Sequence, residues 1–299
     1  MPGTVDLHIH SNRSCDGDFA PAELVRMGRT CGLRAMAIAD HDTVAAYPEA
    51  LEAGRVEGVE VIPNIEFTTV FGEDGREFHL QVPFLDWRGT TVADLAVRVT
   101  AARFQEARER VARLRALGFD IDWAEVAGAS DGTAPLGVKI AQVLLDKTAG
   151  RGAPYPPALQ DYLSEERRDF GPYYFYRDYF TEGKAAFVPK RHIPLVEVLE
   201  ALPELGGVAV LSHPGAYFQN TTREDLAELK ERGLAGIEVF TSYHTAEHVA
   251  FYKELARAFD LVPTAGSDFH GRIKPSVAFG SLRDGDYSMI EELRKKGRG

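Results

Sequence analysis

The sequence predicts an α/β fold in which a parallel sheet alternates with helices and a helical insertion interrupts the alternation. Three observations predict it. Short β-branched or apolar runs alternate with helical patterns through residues 1–100 and again from about 191, the signature of repeated βα units. Residues 92–190 carry helical periodicity and no convincing strand pattern. Metal-competent side chains recur at or near the carboxyl ends of the strand-like runs, where parallel α/β folds assemble their sites.

Seven strands are expected, at residues 4–7, 35–39, 59–65, 78–82, 208–211, 236–240 and 262–265. Helix-like stretches at 21–30, 45–54, 193–202, 223–232 and 245–259 lie between them, with Pro21 in first-turn position. In the insertion, a long amphipathic pattern at 93–117 is ended by Gly118, and a second helix is expected at 136–147. Residues 170–180 hold seven aromatics in eleven positions. These could stack a base or pack the insertion's own core. The chain thus divides into 1–91, a helical cap insertion at 92–190, and 191–299.

Composition narrows the function. Among 299 residues, 34 basic against 45 acidic side chains give a net charge of −11, which disfavours a sequence-independent grip on long nucleic acid. A short or nucleotide-sized phosphate remains compatible. Only two cysteines, Cys15 and Cys31, are present, so a disulfide framework is not expected and a reducing cytoplasm fits better. No apolar run reaches the roughly 18 residues of a membrane span, and no secretory leader pattern precedes the first strand. The expectation is a cytoplasmic, soluble protein of unspecified oligomeric state.

The chemistry concentrates in a few motifs. Asp6-Leu7-His8-Ile9-His10 places two histidines on one side of a strand end. His41 follows the second strand, Glu66 the third, His79 lies in the fourth, His213 follows the fifth, and Asp268 and His270 follow the seventh. Asp16 lies in the loop after the first strand, and six of the chain's nine histidines fall in the set. Imidazole and carboxylate ligands suit Zn, Mn and Fe(II), whereas a thiolate site would need clustered cysteines. Nine candidate ligands exceed what one ion can use, so two or three divalent ions are expected. Such ions activate a water nucleophile and neutralise phosphoryl oxygens.

These motifs resemble the PHP family, named for polymerase and histidinol phosphatase. The shared order is H-x-H, S-x-D-G, D-H-D, a Glu, a His, S-H-P and S-D-x-H, running through residues 4–82 and 207–270. The resemblance implies a distorted seven-stranded parallel (β/α)7 TIM-like barrel and a metal-dependent phosphoric ester hydrolase. It further implies that His8, His10, Glu66 and Asp268 bind one ion, that Glu66 bridges to a second held with His79 and His213, and that Asp16, His41 and His270 hold a third. Glu66 and Asp268 would then be central to catalysis. Many members read H-S-x-x-S-D-G after the first motif, while Ser14-Cys15-Asp16-Gly17 places one extra residue before the carboxylate. Asp16 is chosen because Cys15 has no carboxylate oxygen.

Within the family the chain most resembles stand-alone, capped phosphoesterases, some acting on nucleoside 3′,5′-bisphosphates or short RNA 5′ ends. Residues 182–189 look like the G-K-x-x-Y/F-V-P return of their cap, whereas residues 133–139 contain no equivalent of the cap arginine in its T-R-x-H-like segment. The expected activity is hydrolysis of a monoester or diester of a small, nucleotide-type or short oligonucleotide substrate. An amidohydrolase-like reaction on another bond, or a non-catalytic binding module, are the alternatives.

Other residues carry two readings each. Lys184, Lys190, Arg191 and His192 either clamp substrate phosphate or form a solvated loop. His244 either gives a proton to the leaving oxygen or is a satisfied structural histidine. Asp40 either orients His41 or ends its strand, Glu238 is expected to bond other ligands rather than an ion, and His248 to lie on a helix surface.

Overall fold

The computed structural model describes residues 4–14, 16–130, 132, 134–189, 192–216 and 218–297. The chain forms two compact units, one comprising Met1–Val99 with His192–Gly299 and the other Thr100–Arg191. No helix among the described residues is long and apolar enough to cross a membrane.

The first unit is α/β. Its strands are β1 (Val5–Ile9), β2 (Ala35–Ile38), β3 (Glu60–Val61), β4 (Glu66–Phe71), β5 (Arg76–Gln81), β6 (Ile193–Pro194), β7 (Ala209–Leu211), β8 (Leu234–Thr241) and β9 (Val262–Gly266). The first three form a parallel sheet in the order β1-β2-β3, and the rest a six-stranded sheet in the order β6-β4-β5-β7-β8-β9. Two isolated parallel bridges join Ile9 of β1 to Phe269, just beyond β9, and Glu66 of β4 to His41, just beyond β2. Apolar side chains such as Val5, Leu7, Ala35, Val210, Val262 and Leu293 form one buried cluster, and Phe67, Phe78, Leu80, Leu211 and Ile237 belong to another.

Two expectations are corrected here. The strand expected at residues 59–65 shortens to Glu60–Val61, and Pro63, lacking an N–H, stands where the ladder would continue. Glu66 instead opens β4, a strand absent from the reading of the sequence. β4 and β5 form a hairpin whose turn places Gly72 at φ 80° and Gly75 at φ 64°, a region that side chains disfavour. In consequence β5 runs antiparallel to both β4 and β7, so the sheet is not wholly parallel. The run Phe67-Thr68-Thr69-Val70-Phe71 before a glycine-bounded turn was the available signal.

The second unit is helical among its described residues. The helix Thr90–Ala116 supplies its later turns, followed by Trp123–Gly128, Gly137–Gly150 and Gly171–Tyr179. Asp122 starts the second of these with a capping box, its carboxylate accepting the Glu125 N–H. A separate core forms from Val111, Leu114, Ile140, Leu144, Phe175 and Phe180. The aromatic run is divided by helical periodicity: Phe175 stacks on Tyr179 at 4.3 Å in the interior, while Phe170 and Tyr173 face solvent.

Candidate metal centre

All nine predicted ligands converge in the first unit. In β1 the period-two alternation sends Val5, Leu7 and Ile9 into apolar clusters and leaves Asp6, His8 and His10 on the other side, fully buried. Glu66 is the hub. Its Oε2 lies 3.2 Å from His8 Nε2, 3.3 Å from His10 Nε2 and 3.3 Å from His41 Nδ1; its Oε1 lies 3.4 Å from His79 Nδ1 and 3.1 Å from His213 Nε2. Asp268 Oδ1 lies 3.2 Å from His8 Nε2 and 3.1 Å from His10 Nε2. Asp16 Oδ2 stands 3.4 Å from both His41 Nε2 and His270 Nε2, so the extra residue in its loop does not keep it away.

The ligand atoms gather into three overlapping groups: His8, His10, Glu66 and Asp268; His41, Glu66 and His79; and His10, Asp16, His41 and His270. The first repeats the set implied by the resemblance. His10 additionally joins the Asp16 group, and His41 the Glu66 group. His213 meets Glu66 without entering a group.

Backbone geometry holds these side chains. His213 at φ 23° and Asp268 at φ 55° occupy left-handed conformations costly for non-glycine residues. Gly17 folds so closely on Ser11 that a Cβ would lie 2.1 Å from the Ser11 carbonyl oxygen, which lets the Asp16 loop turn inward. Asp40 accepts from the Ser11 N–H and hydroxyl, both at 2.6 Å, so it fastens that loop rather than orienting the His41 ring. Asp6 accepts from the backbone N–H of His8 at 3.2 Å and of Ser267 at 2.9 Å, joining the two motif-bearing ends; burial pushes its pKa up to about 6. Glu238 Oε1 faces His8 Nδ1 at 3.1 Å and its Oε2 accepts the His213 N–H at 2.8 Å, the bonding role expected of it. Asn64 and Gln81 complete this layer through a 2.7 Å side-chain hydrogen bond.

The donor set fits divalent cations. His8 Nε2 and His10 Nε2 face each other at 3.0 Å, and His8 already turns its Nδ1 to Glu238, so ring lone pairs are crowded together. Glu66 Oε2, both His79 ring nitrogens and His213 Nδ1 are buried without hydrogen-bond partners, a cost that metal coordination removes. The charges are equally strained. Burial opposes the ionised forms of Glu66, Asp268 and Asp16, yet the surrounding imidazoles hold all three well below the usual carboxylate range. Burial also opposes charge on His10, but Asp268 and Glu66 push its pKa up to about 10, whereas burial dominates at His41 and lowers it.

The remaining candidates are not members of the three groups. His244 donates from Nδ1 to the Val239 carbonyl at 2.8 Å and accepts the Gly215 N–H at Nε2, 2.9 Å away, so neither nitrogen is left for a leaving oxygen. It supports the loop after His213. His192 is buried, 3.5 Å from Glu77 Oε2 on the strand that carries His79. Lys184 is an exposed residue of the second unit, and Lys190 and Arg191 lie outside the described residues. A residue not anticipated from the sequence does reach the centre: Lys274 Nζ pairs with Asp268 Oδ2 at 2.7 Å. Its only sequence signal is its place four residues beyond His270.

Comparison with known proteins places this geometry. A PHP domain model matches residues 6–131. The phosphoribosyl 1,2-cyclic phosphate 1,2-diphosphodiesterase of Eggerthella lenta is 30% identical over 92% of this chain and 97% of its own length. The chain belongs to the PHP family. A 5′-3′ exoribonuclease of Haemophilus influenzae is 29% identical over 90% of this PHP chain and 91% of its own. A crystal structure from Bifidobacterium adolescentis, assigned as a metal-dependent phosphoesterase, has 26% identity and a TM-score of 0.78, covering 99% of this chain and 98% of that one. The chain is accordingly a PHP enzyme, a metal-dependent hydrolase of phosphoric esters.

Proposed function

We propose that this PHP phosphoesterase hydrolyses a phosphate monoester or diester of a small, nucleotide-type substrate or short oligonucleotide at a centre of two or three divalent ions, Mn, Fe or Zn. The observation that carries the proposal is the convergence of His8, His10, Asp16, His41, Glu66, His79, His213, Asp268 and His270 around Glu66 and Asp268. We read β1, β2, β4, β5, β7, β8 and β9 as a distorted ring of seven strands, joined at the Ile9–Phe269 and His41–Glu66 bridges, that gathers the ligands.

Ions in such a centre polarise phosphoryl oxygens and make water acidic enough to attack. The chain's own residues prepare that chemistry. Glu66 spans two ligand groups and so fixes their separation. Glu238 holds His8 with Nδ1 turned away, leaving Nε2 for coordination. Asp6 and Asp40 tie down the loops that present the ligands. The complete ligand set argues against a non-catalytic module. The net charge of −11 and relatives named for a cyclic phosphate diester and for RNA favour a small or short substrate over long duplex nucleic acid.

The test is a phosphoester panel of nucleoside bisphosphates, sugar phosphates and short oligonucleotides with metal-reconstituted protein. Hydrolysis should require the added ion and disappear in His8→Ala and Asp268→Ala. Wild-type rates in either variant would sink the proposal.

A further inference from the structure

The non-bridging oxygens of a phosphoester carry negative charge, which ions held by the ligand cluster would meet from their own side. A second cation at a fixed place serves the other side. Among the described residues, Lys274 is the lysine or arginine that pairs with a carboxylate of the ligand cluster. We propose that Lys274 contacts the substrate's phosphoryl group at the rim of the metal centre, a role that rests on the phosphoesterase reading above.

Its position is specific. Asp268 divides its carboxylate, with Oδ1 turned to His8 and His10 and Oδ2 taken by Lys274 Nζ at 2.7 Å. The ammonium therefore stands one carboxylate's width from the ligand atoms. It also donates to Ser242 Oγ at 3.0 Å and lies 3.7 Å from the centre of the Tyr243 ring. Tyr243 in turn packs against the His213 ring at 5.1 Å, so Lys274 is braced between neighbours of two ligands. The Lys274 side chain as a whole stays 21% exposed, so it is not sealed within the protein.

The loop beneath it is anchored as well. Arg272 pairs with Asp18 through its Nε at 3.1 Å, and Gly271 adopts φ 75° where a Cβ would meet Asp18 at 2.7 Å. A free lysine side chain carries considerable rotamer entropy, and holding it in place before substrate arrives removes that cost from binding. Ser242 is exposed, so its hydroxyl can turn to the same anion.

A competing role is that Lys274 merely orients Asp268, and the experiment separates the two. Lys274→Gln keeps side-chain hydrogen bonding toward Asp268 and Ser242 while removing the charge, and Lys274→Arg keeps the charge. Binding of inorganic phosphate to manganese-loaded protein is measured by calorimetry beside metal content, kcat and KM. Lys274→Gln should retain its ions but bind phosphate about ten- to hundredfold more weakly, with KM rising in step. Lys274→Arg should recover most of that affinity. Equal phosphate affinity in wild type and Lys274→Gln overturns the proposal, as does a loss that follows depleted metal, which would assign Lys274 to Asp268 alone. A wild-type protein that binds phosphate but cleaves no phosphoester would instead overturn the underlying function.

Discussion

Glu238 Oε1 lies 3.1 Å from His8 Nδ1, on the side of the ring opposite the nitrogen that enters the ligand cluster. The same carboxylate accepts the His213 N–H, so one side chain of β8 sets a ring from β1 and a backbone from the end of β7. Gly266 makes room for it, since a Cβ there would stand 2.0 Å from Glu238 Oε1. Glu238→Gln preserves the shape but offers one oxygen instead of two. Metal affinity should fall about 10- to 100-fold. Competition with a chelator measures this, and an unchanged affinity would remove Glu238 from the supporting layer.

Glu66 belongs to two ligand groups and Asp16 to one. Replacing them should therefore have unequal effects on metal content. Glu66→Gln is expected to lower occupancy at more than one ion position and reduce kcat about 10²- to 10³-fold, as loss of preorganised charge stabilisation does. Asp16→Asn should cost a single ion. Elemental analysis of the two reconstituted variants reads the difference, and identical stoichiometries would contradict the shared role of Glu66.

His244 is bonded at both nitrogens by backbone groups. His244→Ala leaves the Gly215 N–H without its acceptor and should lower stability by about 1–3 kcal/mol. A proton donor would cost about 10²–10⁴-fold in rate when removed, whereas this variant should lose less than about tenfold. Urea unfolding and kcat measured on one preparation distinguish the two.

The convergence of the candidate ligands was legible because metal chemistry restricts residue types and because strand ends advertise themselves by apolar runs followed by polar motifs. His8, His10, His41, His213, Asp268 and His270 are all visible in that way. What the sequence concealed depended on direction and on distance. The β4–β5 hairpin was missed because the alternation elsewhere favoured βα units, so Glu66 was assigned to the end of a strand that it in fact begins. His244 looked chemical because it follows a strand near the centre, but its two bonds reach backbone groups no motif records. Lys274 follows the final motif in an irregular loop, and only folding brings its ammonium to Asp268.

Arg76 opens β5 and pairs through its guanidinium with Asp225, at 2.6 and 3.1 Å. Burial would raise the Asp225 pKa, but the hydrogen bonds from Arg76 and Thr222 bring it below the ordinary 3.8. A depressed carboxyl pKa stabilises the fold above the unfolded value, and that contribution is lost as pH falls through the folded one. Arg76→Met should cost about 1 kcal/mol at pH 7, a partly exposed pair being screened by water. The difference from wild type should shrink toward zero as pH falls below 3.8 and on through the depressed folded value. Urea midpoints across pH test this, and a penalty that persists in acid would assign it to packing.

The second unit has its own apolar core, from Val111 to Phe180, while the first is assembled from two separated stretches of chain. During synthesis the residues of that core emerge before His213, Asp268 and His270 exist. Domains generally fold as units when their residues become available. The helical unit is thus ready to consolidate while the strands β1 to β5 still lack β7, β8 and β9, and until the final strand leaves the ribosome the two candidate groups that include Asp268 or His270 stay incomplete. Assembly of those two groups belongs to the last stage of making this protein.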